Sequence, residues 1–240
     1  RPDDRDGGAN QRDWVLLFDT SASRDPSDAA VQVRFAKAFI DAVDDTDRVA
    51  VVAFDVAART RVGGWKSAAD LDASHVAEWL KDEATATGWT DLRAGLVAAR
   101  ALFDKRPGKA GRAHVLYLGD GMATADGNGI GALQSALGDA IFVGVAIGER
   151  VDQTLLSSLA DASGGLAVEV PRGDDVSWRA FDVLATLNTP RVLGLEATVV
   201  DASGQLVVDA LAHVGHKQLA AGQRARVLVR LPVKSAATRI

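Results

Sequence analysis

Five short, almost continuous apolar runs alternate along the chain with segments of helical period. The runs span residues 14–19, 48–55, 114–119, 141–147 and 166–170. A strand without polar alternation is typical of a sheet that is covered on both faces. Strand and helix patterns that alternate in this way favour one parallel sheet with helices on either side.

The segments between and after these runs predict six helices, at residues 29–43, 71–81, 91–103, 129–137, 153–162 and 174–187. In the first of them, Val33, Ala36, Phe39 and Ile40 recur at steps of three and four and form one apolar face. The fifth runs into Ser163-Gly164-Gly165, a glycine stop signal. We therefore predict an α/β, doubly wound fold with a mostly parallel central sheet and helices on both faces.

The pattern changes after Pro190. Residues 191–200 and 205–208 flank the turn signal Asp201-Ala202-Ser203-Gly204, and residues 224–231 alternate polar and apolar side chains. This favours a short antiparallel extension. Residues 1–12 are charged and almost without apolar side chains, which predicts a solvated linker. The predicted organisation is a linker at 1–12, an α/β domain at 13–188 and a β-rich extension at 189–240 that forms part of a β-sandwich.

Composition excludes several classes of function. Of the 240 residues, 48% are hydrophobic and 25% are charged, as in an ordinary globular protein. The net charge is -5 and the basic residues are spread along the chain, so we expect no nucleic-acid partner. There is no cysteine, which excludes disulfides, thiolate metal sites and cysteine nucleophiles but leaves the compartment open. No apolar stretch approaches the roughly 20 residues of a membrane span. The chain begins at Arg1 without a signal-peptide pattern, which indicates an excerpt of a longer polypeptide.

Oxygen-bearing side chains follow two of the predicted strands and precede one helix. The three segments are Asp19-Thr20-Ser21-Ala22-Ser23, Gly88-Trp89-Thr90-Asp91-Leu92 and Asp120-Gly121. Doubly wound sheets bind ligands outside the carboxyl ends of their strands. Carboxylates and hydroxyls are the ligands of hard cations such as Mg²⁺, which demands a near-octahedral oxygen shell.

These segments read D-x-S-x-S, G-x-T-x-L and D-G, and in that order they resemble the metal-ion-dependent adhesion site of von Willebrand factor type A domains. The similarity covers residues 13–187 and matches all five site positions. It implies that Asp19, Ser21, Ser23, Thr90 and Asp120 hold Mg²⁺, or Mn²⁺ or Ca²⁺ in its place. An Asp or Glu of a protein partner would then complete the cation's shell.

The resemblance implies a cation-dependent protein-binding or adhesion module and not an enzyme. The β extension resembles that of inter-alpha-trypsin inhibitor heavy chain-like proteins, and by resemblance alone an extracellular, periplasmic or cell-surface location is favoured. Such domains also couple ligand binding to movement of the last helix, here 174–187. Trp89 and Met122 flank the site residues and are candidates for an apolar ligand rim, with packing against the domain as the alternative. The oligomeric state is left open.

Each site residue also has a purely structural interpretation. Asp19 and the serines after it are residues that commonly cap a following helix, as is Thr90. Asp120-Gly121 is a common turn pair. Asp91 is expected to cap the helix that it begins or to face solvent.

Other functions are weaker alternatives. The chain is also compatible with an intracellular assembly factor that works with an AAA+ ATPase. It is less compatible with an enzyme that uses Asp19 as a phospho-acceptor, because Ser21 stands where phosphatases of the haloacid dehalogenase type commonly have a second acidic residue. None of the four histidines lies in the three segments, so no general base is at hand. The glycines at 127–131 follow a loop and not a strand, which argues against a dinucleotide site. His213 and His216 would approach each other only on a helix, which their surroundings do not favour.

Overall fold

The computed structural model describes residues 11–22, 25–61, 63–83, 88–108, 111–189, 191–193, 195–214, 218–220 and 224–232. Of the predicted linker, only residues 11 and 12 fall within these ranges, and Arg12 already begins the first strand. The described residues divide into two compact units between Leu187 and Asn188.

A mostly parallel β-sheet forms the centre of the first unit. Its strands are β1 (Arg12–Asp19), β2 (Arg48–Phe54), β3 (Ala58–Thr60), β4 (Lys66–Ser67), β5 (Arg112–Gly119), β6 (Ile141–Ala146) and β7 (Leu166–Glu169). The order across the sheet is β3-β2-β1-β5-β6-β7, and β4 also pairs with β2. Strands β2, β1, β5, β6 and β7 are mutually parallel, which confirms the predicted doubly wound, mostly parallel sheet.

The described residues form six α-helices and one 3-10 turn at Ala68–Asp70. The α-helices are α1 (Pro26–Ala42), α2 (Ala73–Glu83), α3 (Leu92–Asp104), α4 (Ile130–Leu137), α5 (Gln153–Ser163) and α6 (Val176–Asn188). Each coincides with a predicted helix to within a few residues. Local chemistry explains several ends. Asp25 caps α1 ahead of a proline, and α5 stops where Gly164 adopts a left-handed conformation, with φ of 73°.

The sheet is buried on both faces, as the continuous apolar runs predict. On β1, Trp14, Leu16 and Phe18 belong to one core cluster together with side chains of α1, α2 and α6. Val15 and Leu17 belong to a second cluster with side chains of α3, α4 and α5. Because successive side chains of a strand point to opposite faces, a strand between two helical layers must be apolar at nearly every position.

The amino ends of β1 and β2 meet around a buried carboxylate. Asp13 is fully buried and accepts hydrogen bonds from Arg48 at 2.7 and 3.0 Å and from Arg106 at 3.1 Å. The amide of Gly111 adds a fourth at 2.8 Å. This ion-pair cluster lies at the edge of the sheet opposite to the predicted cation site.

The edge strands β3 and β4 were not predicted. Both pair antiparallel with β2, and both are only two or three residues long. Such short segments carry too few residues for a period to be visible in the sequence.

The second unit is antiparallel, as predicted, but its strands differ from the expectation. Strand β8 (Arg191–Leu193) pairs with β10 (Gln218–Ala220), and β9 (Leu211–Val214) pairs with β11 (Val227–Arg230). The predicted hairpin around residues 201–204 forms the turn, in which Asp201 accepts from Ser203 and Gln205, but it continues only as a single bridge between Val200 and Leu206. Within the described residues of the segment 191–200, strand pairing is confined to residues 191–193 and the bridge at Val200, where the Val199 carbonyl accepts from the Val207 amide at 2.9 Å.

Candidate metal site at the carboxyl edge of the sheet

The candidate cation residues lie where the strand order reverses. Strand β1 leads to β2 on one side and pairs with β5 on the other, so the carboxyl ends of β1 and β5 border the switch point. Asp19 is the last residue of β1, and Asp120 directly follows β5. Thr90 lies two residues before α3. Ser23, the fifth predicted ligand, lies outside the described residues.

Hydrogen bonds join the three loops to one another. The amide of Ala22 donates to the carbonyl of Gly88 at 3.1 Å, which ties the loop after β1 to the loop before α3. The amide of Thr90 donates to the Thr124 hydroxyl at 3.1 Å, and the carbonyl of Thr90 accepts from the amide of Ala125 at 3.1 Å. The structure thus brings Asp19, Ser21, Thr90 and Asp120 to one edge of the sheet, in loops that hold each other in place.

Asp19 is fully buried, and two neutral donors fix its carboxylate. Oδ1 accepts from the Ser21 amide at 2.8 Å, and Oδ2 accepts from the Tyr117 hydroxyl at 3.0 Å. The capping interpretation of Asp19 is wrong, because Asp25 caps α1 by accepting from the Ser27 amide at 2.8 Å.

Tyr117 connects the two acidic loops. Its hydroxyl donates to Asp19 and accepts from the Gly121 amide at 2.9 Å. Burial raises the pKa of Tyr117 well above its ordinary value, and the nearby Asp19 and Asp120 carboxylates raise it further, so the hydroxyl stays protonated and remains a donor. Sequence reasoning missed this residue. The only signal is its place on β5, two residues before the glycine that ends the strand.

Thr90 has an unsatisfied hydroxyl. The side chain is 1% exposed, and Oγ1 has no hydrogen-bond partner among the residues that the structure describes. A buried hydroxyl without a partner costs about 1–3 kcal/mol. It does not cap α3, because Asp91 does so by accepting from the Ala94 amide at 3.0 Å. An inward-facing oxygen that lacks a partner is what a directly coordinating hydroxyl looks like without its cation, so this residue fits the predicted metal.

Asp120 combines a turn with burial. The side chain is almost fully buried, and Oδ1 accepts from the Met122 amide at 2.9 Å, while the next residue, Gly121, has a positive φ of 74°. The turn interpretation therefore holds at the same time as the placement beside Asp19. The backbone carbonyl accepts from the Asp152 amide at 2.8 Å, which anchors the loop to the start of α5.

Two apolar side chains beside this cluster face solvent. Trp89 is 68% exposed and Met122 is 37% exposed. Trp89 directly precedes Thr90, and Met122 follows Asp120 by two residues. Trp89 is mostly open to solvent whereas most of Met122 is covered, and the apolar ligand rim stays a prediction.

The candidate ligands at this edge are a mixture of carboxylates and hydroxyls, unlike those of a metal site built from carboxylates alone or from histidines. Within the described ranges, no group of three or more His, Cys, Asp or Glu side chains is placed to hold a metal ion. The cluster at the switch point has two carboxylates, and its other oxygens are hydroxyls. Of the histidines in the first unit, His75 lies on α2 and His114 near the amino end of β5, away from the carboxyl ends of β1 and β5. His213 lies in β9 of the second unit, and His216 lies outside the described residues.

A family model described as the von Willebrand factor type A domain matches residues 12–168. The chain belongs to this family. No curated protein sequence matches this von Willebrand factor type A domain. In the part of it that the structure describes, no helix is long and apolar enough to cross a membrane.

Several solved structures resemble this von Willebrand factor type A domain in fold. An aerotolerance-related membrane protein from Bacteroides fragilis is 15% identical with a TM-score of 0.61, over 73% of this chain and 98% of that one. A von Willebrand factor type A protein from Catenulispora acidiphila is 23% identical with a TM-score of 0.61, over 79% and 44%. Proximal thread matrix protein 1 from the mussel byssus, in a structure with a zinc-occupied MIDAS motif, is 18% identical with a TM-score of 0.58, over 76% and 49%. At these identities the likeness establishes the fold.

Proposed function

We propose that this von Willebrand factor type A domain is a divalent-cation-dependent protein-binding module and not an enzyme. Asp19, Ser21, Ser23, Thr90 and Asp120 form a complete metal-ion-dependent adhesion site that holds Mg²⁺ or Mn²⁺. The observation that carries this proposal is the buried hydroxyl of Thr90, which has no hydrogen-bond partner among the described residues, in a loop that is hydrogen-bonded to the loops of Asp19 and Asp120. The zinc-occupied MIDAS motif of the mussel protein supports a cation at this edge of the fold.

The balance of charge supports recognition. Two carboxylates offset the charge of a divalent ion, and the neutral hydroxyls leave the ion able to attract an anionic oxygen. A Glu or Asp side chain of a protein partner supplies such an oxygen. Trp89 and Met122 would form an apolar rim next to that carboxylate, as exposed aromatic and methionine side chains do at many interfaces.

Metal binding is tested by calorimetric titration of Mg²⁺ and Mn²⁺ into the wild type and into Asp19→Ala, Ser21→Ala, Thr90→Val and Asp120→Ala. We expect heat in the wild type and at least about tenfold weaker binding in each variant, because each removes an oxygen ligand or its charge. His75→Gln, which changes an exposed side chain on α2, is the control and should bind as the wild type does. Absence of heat in the wild type, or equal binding in all variants with an unchanged circular dichroism spectrum, would contradict the proposal.

Partner binding is tested by panning a displayed random peptide library on the immobilised chain in Mg²⁺ and eluting with EDTA. The peptides recovered should carry Asp or Glu, and their binding should be lost in Asp19→Ala and weakened in Trp89→Ala. Peptides that lack an acidic residue, or that stay bound in EDTA, would contradict carboxylate recognition. The inter-alpha-trypsin inhibitor heavy chain-like context and the assembly-factor alternative would both use the same site. These experiments do not distinguish the two, and both stay predictions.

A further inference from the structure

The side chain of Arg59, on edge strand β3, reaches three separate parts of the fold. Nη2 donates to the Thr20 hydroxyl at 2.7 Å, and Nη1 donates to Asp55 Oδ1 at 3.1 Å. Nε donates to Glu83 Oε2, at the end of α2, at 2.6 Å. A planar guanidinium holds its donors in fixed directions, so these contacts fix the relative positions of their acceptors.

The first contact acts on the residue between two candidate ligands. Thr20 lies between Asp19 and Ser21 and is fully buried. Its hydroxyl accepts from Arg59 and has one hydrogen to give, for which the Phe54 carbonyl at 2.9 Å and Asp55 Oδ2 at 3.3 Å are the two acceptors. The Thr20 amide donates to the same carbonyl at 2.7 Å. Arg59 therefore orients the hydroxyl and helps to hold the backbone that presents Asp19 and Ser21.

The second contact acts on the loop of Thr90. Asp55, which Arg59 holds by its carboxylate, accepts at its backbone carbonyl from the Asp91 amide at 2.8 Å. Asp91 is the neighbour of Thr90 and the cap of α3. One guanidinium thus supports the loop after β1 and, through Asp55, the loop before α3.

We propose that Arg59 is a positioning residue of the cation site, which sets the spacing between the Asp19–Ser21 loop and the Thr90 loop. This inference rests on the proposed function. Mg²⁺ requires near-ideal octahedral geometry, so a small displacement of one loop weakens binding even when every ligand is present. Residues that hydrogen-bond to the ligands of a metal also matter, because their removal typically weakens metal binding by about ten- to a hundredfold.

The experiment compares Arg59→Gln with Arg48→Gln in the full chain. Arg48 is the matched control, because it is also an arginine paired with a buried carboxylate, that of Asp13, but lies at the opposite edge of the sheet. We expect Arg59→Gln to weaken Mn²⁺ binding about tenfold or more, and Arg48→Gln to lower the melting temperature without changing Mn²⁺ affinity. Thr20→Val, which keeps the branched shape and removes the hydroxyl, should weaken Mn²⁺ binding as well.

A second measurement does not depend on the metal. Hydrogen exchange of the Thr20, Ala22 and Asp91 amides should accelerate in Arg59→Gln and not in Arg48→Gln. If the wild type binds no Mn²⁺, the proposed function fails, and the exchange rates still decide whether Arg59 holds the loops. Mn²⁺ affinity of Arg59→Gln equal to that of the wild type, or unchanged exchange at all three amides, overturns the role of Arg59.

Discussion

Asp13 and Asp19 are both buried, but they have different hydrogen-bond donors around them. Asp13 is held by Arg48 and Arg106, whose positive charges compensate its own within the chain. Asp19 accepts from the Ser21 amide and the Tyr117 hydroxyl, neutral donors that orient a carboxylate without cancelling its charge. Removal of a partner of Asp13 would leave a buried charge uncompensated, which is strongly destabilising, whereas a carboxylate oriented as Asp19 is suits a cation.

Tyr117→Phe tests the bridge between Asp19 and Gly121. The change keeps the ring but removes the hydroxyl that accepts from the Gly121 amide and donates to Asp19 Oδ2. Loss of these two hydrogen bonds costs about 1–3 kcal/mol of stability. We expect Mn²⁺ binding, measured by calorimetry, to weaken by about tenfold. Phe142→Leu, which alters a buried ring stacked beside Tyr117, should lose stability at unchanged Mn²⁺ affinity. A tyrosine variant with undiminished Mn²⁺ affinity would refute the bridge.

His114 makes the free energy of unfolding depend on pH. Burial against Trp14 lowers the pKa of the imidazole from 6.5 to about 4, and Nδ1 donates to the Arg112 carbonyl at 2.9 Å. Between pH 6.5 and pH 4, His114 is therefore protonated in the unfolded chain but not in the folded chain. The free energy of unfolding falls as the pH falls through this range.

Guanidinium unfolding at pH 7.5 and pH 5 measures this effect. The wild type should lose about 2 kcal/mol more than His114→Gln between the two pH values, since the glutamine does not titrate. An identical loss in both proteins would show that His114 is not the group responsible.

At the scale of elements, close packing decides which connections tolerate a side chain. Gly165 follows α5 and precedes β7, and a Cβ there would collide with the carbonyl oxygen of Phe142. Gly131, in α4, has no atom within 4 Å of an added Cβ. The sequence shows both simply as glycines near helix ends, and only the packed layers distinguish them.

Gly165→Ala and Gly131→Ala form a matched pair. The first should destabilise the protein by more than about 1 kcal/mol because the backbone of β6 or β7 must shift. The second should stabilise it by about 0.5–1 kcal/mol through lower chain entropy in the unfolded state. Chemical denaturation of both variants checks the signs, and equal effects would contradict the steric argument.

At the scale of the whole molecule, the two compact units meet in sequence at Leu187 and Asn188. The first contains both core clusters of the sheet and the candidate cation site. We propose that it is an independent domain and that the β-rich extension belongs to a β-sandwich.

A chain that ends at Thr189 tests this independence. Because the sheet and its two helical layers are retained, we expect a cooperative thermal transition within a few degrees of that of the full chain, and unchanged Mn²⁺ affinity. Calorimetry provides both quantities. A truncated chain that unfolds without a transition, or aggregates, would show that residues 190–240 are part of the same folding unit.

The sequence by itself determined the α/β alternation, the order of the parallel strands and helices and the positions of the candidate oxygen ligands, because these depend on local period and on the rule that ligands bind at strand ends. It also placed Trp89 and Met122 beside the site. The tertiary structure alone decided that the buried Thr90 hydroxyl has no hydrogen-bond partner in the described part of the chain. It also decided which capping interpretations were wrong, that Tyr117 joins Asp19 to Gly121 and that Arg59 reaches Thr20. These contacts join residues up to 98 positions apart, and no local pattern encodes a distance between loops that only the packed sheet brings together.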